Sequence, residues 1–192
     1  MLNINVPVFL ASQSPRRRKL LKIFGIKFSS FSVELDEEIL DGEHPVQTVK
    51  RLSHQKLELA LAKKKKGIII TADTIVVLGK EVMGKPKNAK DAERILTLLS
   101  GNTHTVYTGF AVCNILSGKT IIEYEKTKVT FRELGTEEIR EYIKTGSPMD
   151  KAGAYGIQDD FGAVFVSSIE GCYYNVVGLP LAKLYSTLKK VI

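Results

Sequence analysis

The run GIIITADTIVVL, from Gly67 to Leu78, constrains the fold more than any other stretch of the chain. Apolar residues flank its centre on both sides, the pattern of a strand covered on both faces. Such a strand sits inside a sheet with other layers packed against it. Asp73 occupies the centre, between Ala72 and Thr74. Aspartate is disfavoured in strands, and burying a carboxylate without a partner is expensive. A buried aspartate here pairs with a cation, binds a metal or does chemistry.

A second stretch, LASQSPRRRKLL at 10–21, reads as strand, turn and helix. Val6 to Ser12 is expected as the strand. Ser14 is placed as a helix N-cap, with Pro15 at the first helical position and Gly25 available to close the helix. Arg16, Arg17 and Arg18 follow directly. Cations in the first turn oppose the positive end of the helix dipole, at a cost of a few tenths to ~1 kcal/mol each. Either the turn is simply solvated, or the free N–H groups and guanidiniums together bind an anion such as a phosphate chain. No glycine-rich P-loop is present, so this is not a Walker site.

Further elements follow from periodicity. Phe28 to Val33 alternates as a half-buried strand and leads to the acidic residues Glu34, Asp36, Glu37 and Glu38, a hydrophilic loop or a set of oxygen ligands for a divalent cation. A helix is expected over Val46 to Lys64, with Val49, Leu52 and Ala60 inward. Lys56 falls on that apolar face, where it either snorkels past the core edge or points into a site. Glu81 to Met83 reads as a short return strand, after which Pro86 presents Lys85. Asn88 caps a helix over Ala89 to Leu99, with Ala92, Ile95, Leu96 and Leu99 inward. Thr103 to Leu116 and Thr120 to Arg132 form a hairpin at Ser117-Gly118. Thr136 is expected to cap a short helix through Lys144. The segment DKAGAYGIQDDFG is irregular, and its glycines let backbone approach another group closely. Gln158 offers a donor and an acceptor, suited to a base edge. Ala163 to Ile169 reads as a strand, Gly171 to Gly178 as a connection, and Pro180 opens a helix to Val191. With several strands adjacent in sequence, a mixed sheet is expected rather than a doubly wound parallel one.

The length of 192 residues suits one domain, with room for two lobes around a cleft. A net charge of +7 favours polyanionic partners, among them nucleotides, nucleic acid and anionic membrane. No apolar stretch approaches the ~20 residues that span a bilayer. The start, MLNINVPVFLAS, lacks the pattern of a signal peptide, so a cytoplasmic location is expected. Cys113 and Cys172 form no metal or redox motif and read as small residues of a reducing compartment. Nucleic-acid binding predicts basic residues along one face with aromatics between them, and the sequence does not show that pattern.

Taken together, LASQSPRRRKLL at 10–21, RLSHQK at 51–56, ADTIVV at 72–77, GKP at 84–86, LSGNTHTVYTG at 99–109, DKAGAYGIQ at 150–158 and GCYYNVVGLPL at 171–181 resemble the Maf proteins. These are nucleoside triphosphate pyrophosphatases related in fold to the inosine triphosphate pyrophosphatases. The resemblance spans nearly the whole chain. It implies an elongated α/β protein, a mixed sheet flanked by helices, with two lobes around a central cleft. It also implies hydrolysis of a nucleoside triphosphate between the α and β phosphates with a divalent cation, Mg²⁺ or else Mn²⁺ or Co²⁺, and a homodimer. Arg16, Thr74 and Gln158 match the branch acting on dTTP and UTP, although Asp159-Asp160 stands where a glycine is more usual. By the same resemblance, Asp73 is the general base or water positioner, and Glu37 and Asp73 are the metal ligands. Ser12, Arg17, Lys56 and Lys85 hold the phosphates, while Arg16, Thr74 and Gln158 select the base. The alternatives are the same reaction on methylated GTP or another purine, or a nucleic-acid-binding or cell-division regulatory protein.

Overall fold

The computed structural model describes residues 2–158 and 161–192, so Asp159 and Asp160 lie outside the described residues. The first strand, β1 (Val8–Ala11), leads into α1 (Pro15–Lys22), then β2 (Ser29–Phe31) and the long α2 (Pro45–Leu61). Next come β3 (Ile68–Leu78), β4 (Glu81–Met83), α3 (Ala89–Leu99), β5 (Thr103–Asn114) and β6 (Lys119–Phe131). After α4 (Thr136–Lys144) the chain makes short 3₁₀ turns before β7 (Val166–Glu170), α5 (Tyr173–Val177) and α6 (Leu181–Val191). Among the described residues the strands form one mixed sheet in the order β2-β1-β3-β5-β6-β7, with β4 paired to β3. Strand β1 runs parallel to β2 and β3, whereas β4 on β3 and β7 on β6 are antiparallel.

The chain divides into two compact units. The first comprises the chain through Asp73, Thr108–Glu125 and Gly178–Ile192. Its core packs Leu57 and Ala60 of α2 against Ala11, Ile69, Ala111 and Cys113, bordered by Phe9, Phe31 and Val33. The second comprises Thr74–Tyr107 and Lys126–Val177. In it Phe131 meets His104, Tyr155 and Phe165 edge to face, with ring centroids 4.7 to 5.9 Å apart, a favoured aromatic arrangement. The inward residues expected of α3, Ala92, Ile95, Leu96 and Leu99, are all buried there.

Several boundaries differ from the sequence expectation for identifiable reasons. Strand β1 is shorter than Val6 to Ser12, because Pro7 has no N–H to give the ladder; only its carbonyl takes part, accepting from Ile68 N–H at 2.8 Å. The strand expected over Phe28 to Val33 shrinks to the three residues of β2. Helix α2 stops before Lys63, whose ammonium donates to the Ser32 carbonyl, while Lys64 lies over the rings of Phe9 and Phe31 at 4.5 and 5.0 Å. These two lysines therefore fasten the turn after the helix. Thr136 begins α4 rather than capping it; the cap is Gly135, which makes no side-chain bond, and Glu137 and Glu138 supply the favourable charge of the first turn. Residues Phe161–Phe165 form a 3₁₀ turn before β7, and the connection over 171–178 contains the short α5.

Candidate active site

The parallel register Leu10↔Ile70 brings Ser12, just past the end of β1, level with the middle of β3, where Asp73 sits. Where β1 ends, Ser12 Oγ accepts from Ser14 N–H at 3.2 Å, and Ser14 Oγ accepts from Arg17 N–H at 3.3 Å. A side-chain turn at Ser12 and the Ser14 cap thus shape the entry to α1, the cap as Ser14-Pro15 led one to expect. The three arginines then go to different places. Arg17 turns inward: Nε donates to the Gly178 carbonyl and Nη1 to the Ala72 carbonyl, both at 2.9 Å. Burial lowers its pKa, while the negative charges of Asp73 and Glu37 oppose that shift. A guanidinium stays charged regardless. Arg16 is half-buried and close enough to Arg17 to add to the lowering. Arg18 instead lines a groove with Lys19, Lys22 and Phe28.

Helix α2 brings Lys56 to the same region. It is buried, 8% exposed, and it does not snorkel. Its ammonium donates to Glu37 Oε1 at 2.6 Å and also to Asp73 Oδ1. Asp73 is 4% exposed. Burial pushes its carboxyl above the usual carboxylate range, and Glu37 adds to the rise; the charges of Lys56 and Arg17 pull the other way. The buried aspartate flagged by β3 therefore has its cation, supplied by the lysine flagged on α2. Glu37 lies on the non-regular stretch after β2, with its side chain 42% exposed.

Five of the expected residues thus belong to one neighbourhood of the first unit: Ser12, Arg17, Glu37, Lys56 and Asp73. Thr74, Lys85 and Gln158 belong to the second unit. Thr74 is half-buried in β3, Lys85 is exposed just after β4, and Gln158 is half-buried. The segments bearing the latter two are tied together, because Gly153 N–H donates to the Gly84 carbonyl at 3.1 Å. Gly153 has a φ of +72° and packs so closely on Val76 that an added Cβ would sit 2.9 Å from Cγ2. Ala154 follows in the same left-handed region, with a φ of 61°, at a cost of about 1–2 kcal/mol for a residue with a side chain.

Three residues outside the expected set matter here. Arg51 forks onto Glu43 and reaches the Glu38 carbonyl. His104, 1% exposed, places Nε2 2.8 Å from the Tyr155 hydroxyl. Thr71, two residues before Asp73, donates to the Ser53 carbonyl at 2.7 Å and so fastens β3 to α2. RLSHQK and LSGNTHTVYTG contain Arg51 and His104, but only the pairing in space reveals what each holds.

Among the described residues no group of three or more His, Cys, Asp or Glu side chains is placed to hold a metal. The donor set still suits Mg²⁺, since two carboxylates converge on one cationic point, and this ion typically takes one or two carboxylates with waters and phosphates completing its shell. No helix among the described residues is long and apolar enough to cross a membrane.

Comparison with known proteins places these observations. The chain is 46% identical to the dTTP/UTP pyrophosphatase of Syntrophomonas wolfei, over 94% of this chain and 95% of that one. It is 45% identical to the protein of the same name from Aquifex aeolicus, over 96% and 95%. The corresponding figure for the Dictyoglomus thermophilum protein of that name is 47%, over 96% and 95%. The fold is similar to that of the Staphylococcus aureus Ham1 protein, with a TM-score of 0.53 at 13% identity over 96% of this chain and 98% of that one. The model of the family described as Maf-like protein matches residues 7–191, and the chain belongs to that family.

Proposed function

We propose that this protein hydrolyses dTTP and UTP between the α and β phosphates, releasing the nucleoside monophosphate and pyrophosphate. The observation that carries this is the cluster in which the buried Lys56 joins the buried Asp73 to the more exposed Glu37. The names of relatives 45–47% identical over nearly the full length support the same reading. In the proposed reaction water attacks the α phosphorus and a new P–O bond forms. The bond from the α phosphorus to the bridging oxygen breaks, and pyrophosphate leaves with the electron pair. Asp73 acts as general base or water positioner. Its Oδ1 is engaged by Lys56, which leaves Oδ2 to accept the proton of the attacking water.

Glu37 and Asp73 would hold the divalent cation, Mg²⁺ or else Mn²⁺ or Co²⁺, which supplies charge neutralisation and polarises the α phosphorus when bound. Lys56 balances the two carboxylates and offers its charge to the phosphates. Arg17 contributes charge from a fixed position, because two of its donors are already committed to backbone carbonyls. Ser12 and Lys85 complete the phosphate contacts, and Arg16, Thr74 and Gln158 select the base. The proposal takes residues 1–192 as one Maf-like domain with two lobes, working as a homodimer in the cytoplasm.

The test is pyrophosphate release from a panel of nucleoside triphosphates with Mg²⁺, for wild type and Asp73→Asn. Release from dTTP and UTP that falls by about 10²–10⁴-fold in the variant is expected. Release confined to a purine or methylated base would retain the reaction and discard the base-reading roles. Near-normal turnover in Asp73→Asn would discard the base.

A further inference from the structure

Glu37 lies outside the regular elements that carry Lys56 and Asp73. The stretch 32–40 forms neither helix nor strand, so no regular backbone ladder sets the position of this carboxylate. Arg51 ties this stretch to α2. It lies five residues before Lys56 on α2, on the same rigid element. Its Nε donates to Glu43 Oε1 at 2.8 Å and its Nη2 to Glu43 Oε2 at 2.6 Å. The same Nη2 donates to the carbonyl of Glu38, the residue next to Glu37, at 3.0 Å. Gln55 Oε1 accepts from Nη1 at 3.3 Å and braces the guanidinium from the helix side. The Glu43 side chain is mostly buried, and its bond to Arg51 holds its pKa below the usual carboxylate range.

We infer that Arg51 is a positioning residue that fixes Glu37 for cation binding, by tying the acidic segment at Glu38 and Glu43 to the helix that carries Lys56. Only a guanidinium can do this. Its planar fork engages both oxygens of one carboxylate and still reaches a carbonyl, whereas an ammonium is a compact point charge without that fixed fork. Groups that orient metal ligands typically matter 10- to 100-fold in metal affinity. The inference rests on Glu37 being a metal ligand.

The experiment is Mn²⁺ titration followed by electron paramagnetic resonance, without nucleotide, on wild type, Arg51→Lys, Glu37→Gln and the double variant. Arg51→Lys is expected to weaken Mn²⁺ binding 10- to 100-fold, and to change it less than about twofold when Glu37 is already Gln. Turnover of dTTP by Arg51→Lys should recover at high Mn²⁺, which a general structural defect would not allow. Glu43→Gln loosens the same fork without removing the arginine and should shift affinity in the same direction by less; it replaces Arg51→Lys if that variant does not fold. Equal weakening by Arg51→Lys in both backgrounds, or none in either, overturns the inference. If Glu37→Gln alone leaves Mn²⁺ affinity unchanged, the metal role of Glu37 fails first and the inference fails with it.

Discussion

Lys56, itself buried, joins the buried Asp73 to the exposed Glu37 through one ammonium, and removing it leaves Asp73 with less compensation. Truncating one partner of a buried charge pair commonly costs 2–5 kcal/mol in the function that depends on it. Lys56→Ala is therefore expected to lower kcat/KM for dTTP by about 100-fold, measurable by steady-state pyrophosphate release. Normal kinetics with a large loss of melting temperature would make Lys56 a structural group only. His104 gives a second residue-scale expectation. Burial pushes its pKa down to about 4 from the usual 6.5, and Nδ1 has no hydrogen-bond partner among the described residues. The fold therefore favours the neutral ring. This contribution is complete above pH 6.5, the unfolded value, and is lost as pH falls from 6.5 toward 4. The loss amounts to about 3 kcal/mol. Urea denaturation of wild type and His104→Gln across that range should show the wild type losing more stability than the variant.

At the scale of elements, α2 and β5 touch through Gly109. A Cβ there would lie 2.2 Å from the Val49 carbonyl oxygen, a backbone atom that cannot swing away. Gly109→Ala should cost about 1–3 kcal/mol by chemical denaturation and displace the helix that carries Lys56, lowering turnover as well. Most elements were legible in the sequence because their signals are local. Ser14-Pro15, Asn88 and the inward stripe of α3 each declare themselves within a few residues. The strand bearing Asp73 was equally plain, since a carboxylate inside an apolar run has few explanations. Errors fell where a local signal met a longer-range competitor, as when Lys63 and Lys64 turned to Ser32, Phe9 and Phe31 instead of extending α2. The function of Arg51 was invisible for the same reason, because its partners depend on how the segment after β2 returns to the helix.

For the whole molecule, a net charge of +7 and a polyanionic substrate imply electrostatic steering. Screening shortens its reach from about 10 Å at 0.1 M salt to 3 Å at 1 M. The kcat/KM for dTTP should fall severalfold between these salt concentrations, mostly through KM, and a flat response would mean that the net charge does not aid capture. The order in which the first unit is assembled carries a separate consequence. Its last segment, Gly178–Ile192, follows every other segment of the unit in sequence. Arg17 is anchored on Gly178, 161 residues away. In α6, Tyr185 packs on Phe24, and the Val191 carbonyl accepts from Asn114. At 5–20 residues per second, roughly ten to thirty seconds of translation separate Arg17 from its partner. A nascent chain therefore holds Lys56 and Asp73 through most of that interval without the anchored guanidinium of Arg17.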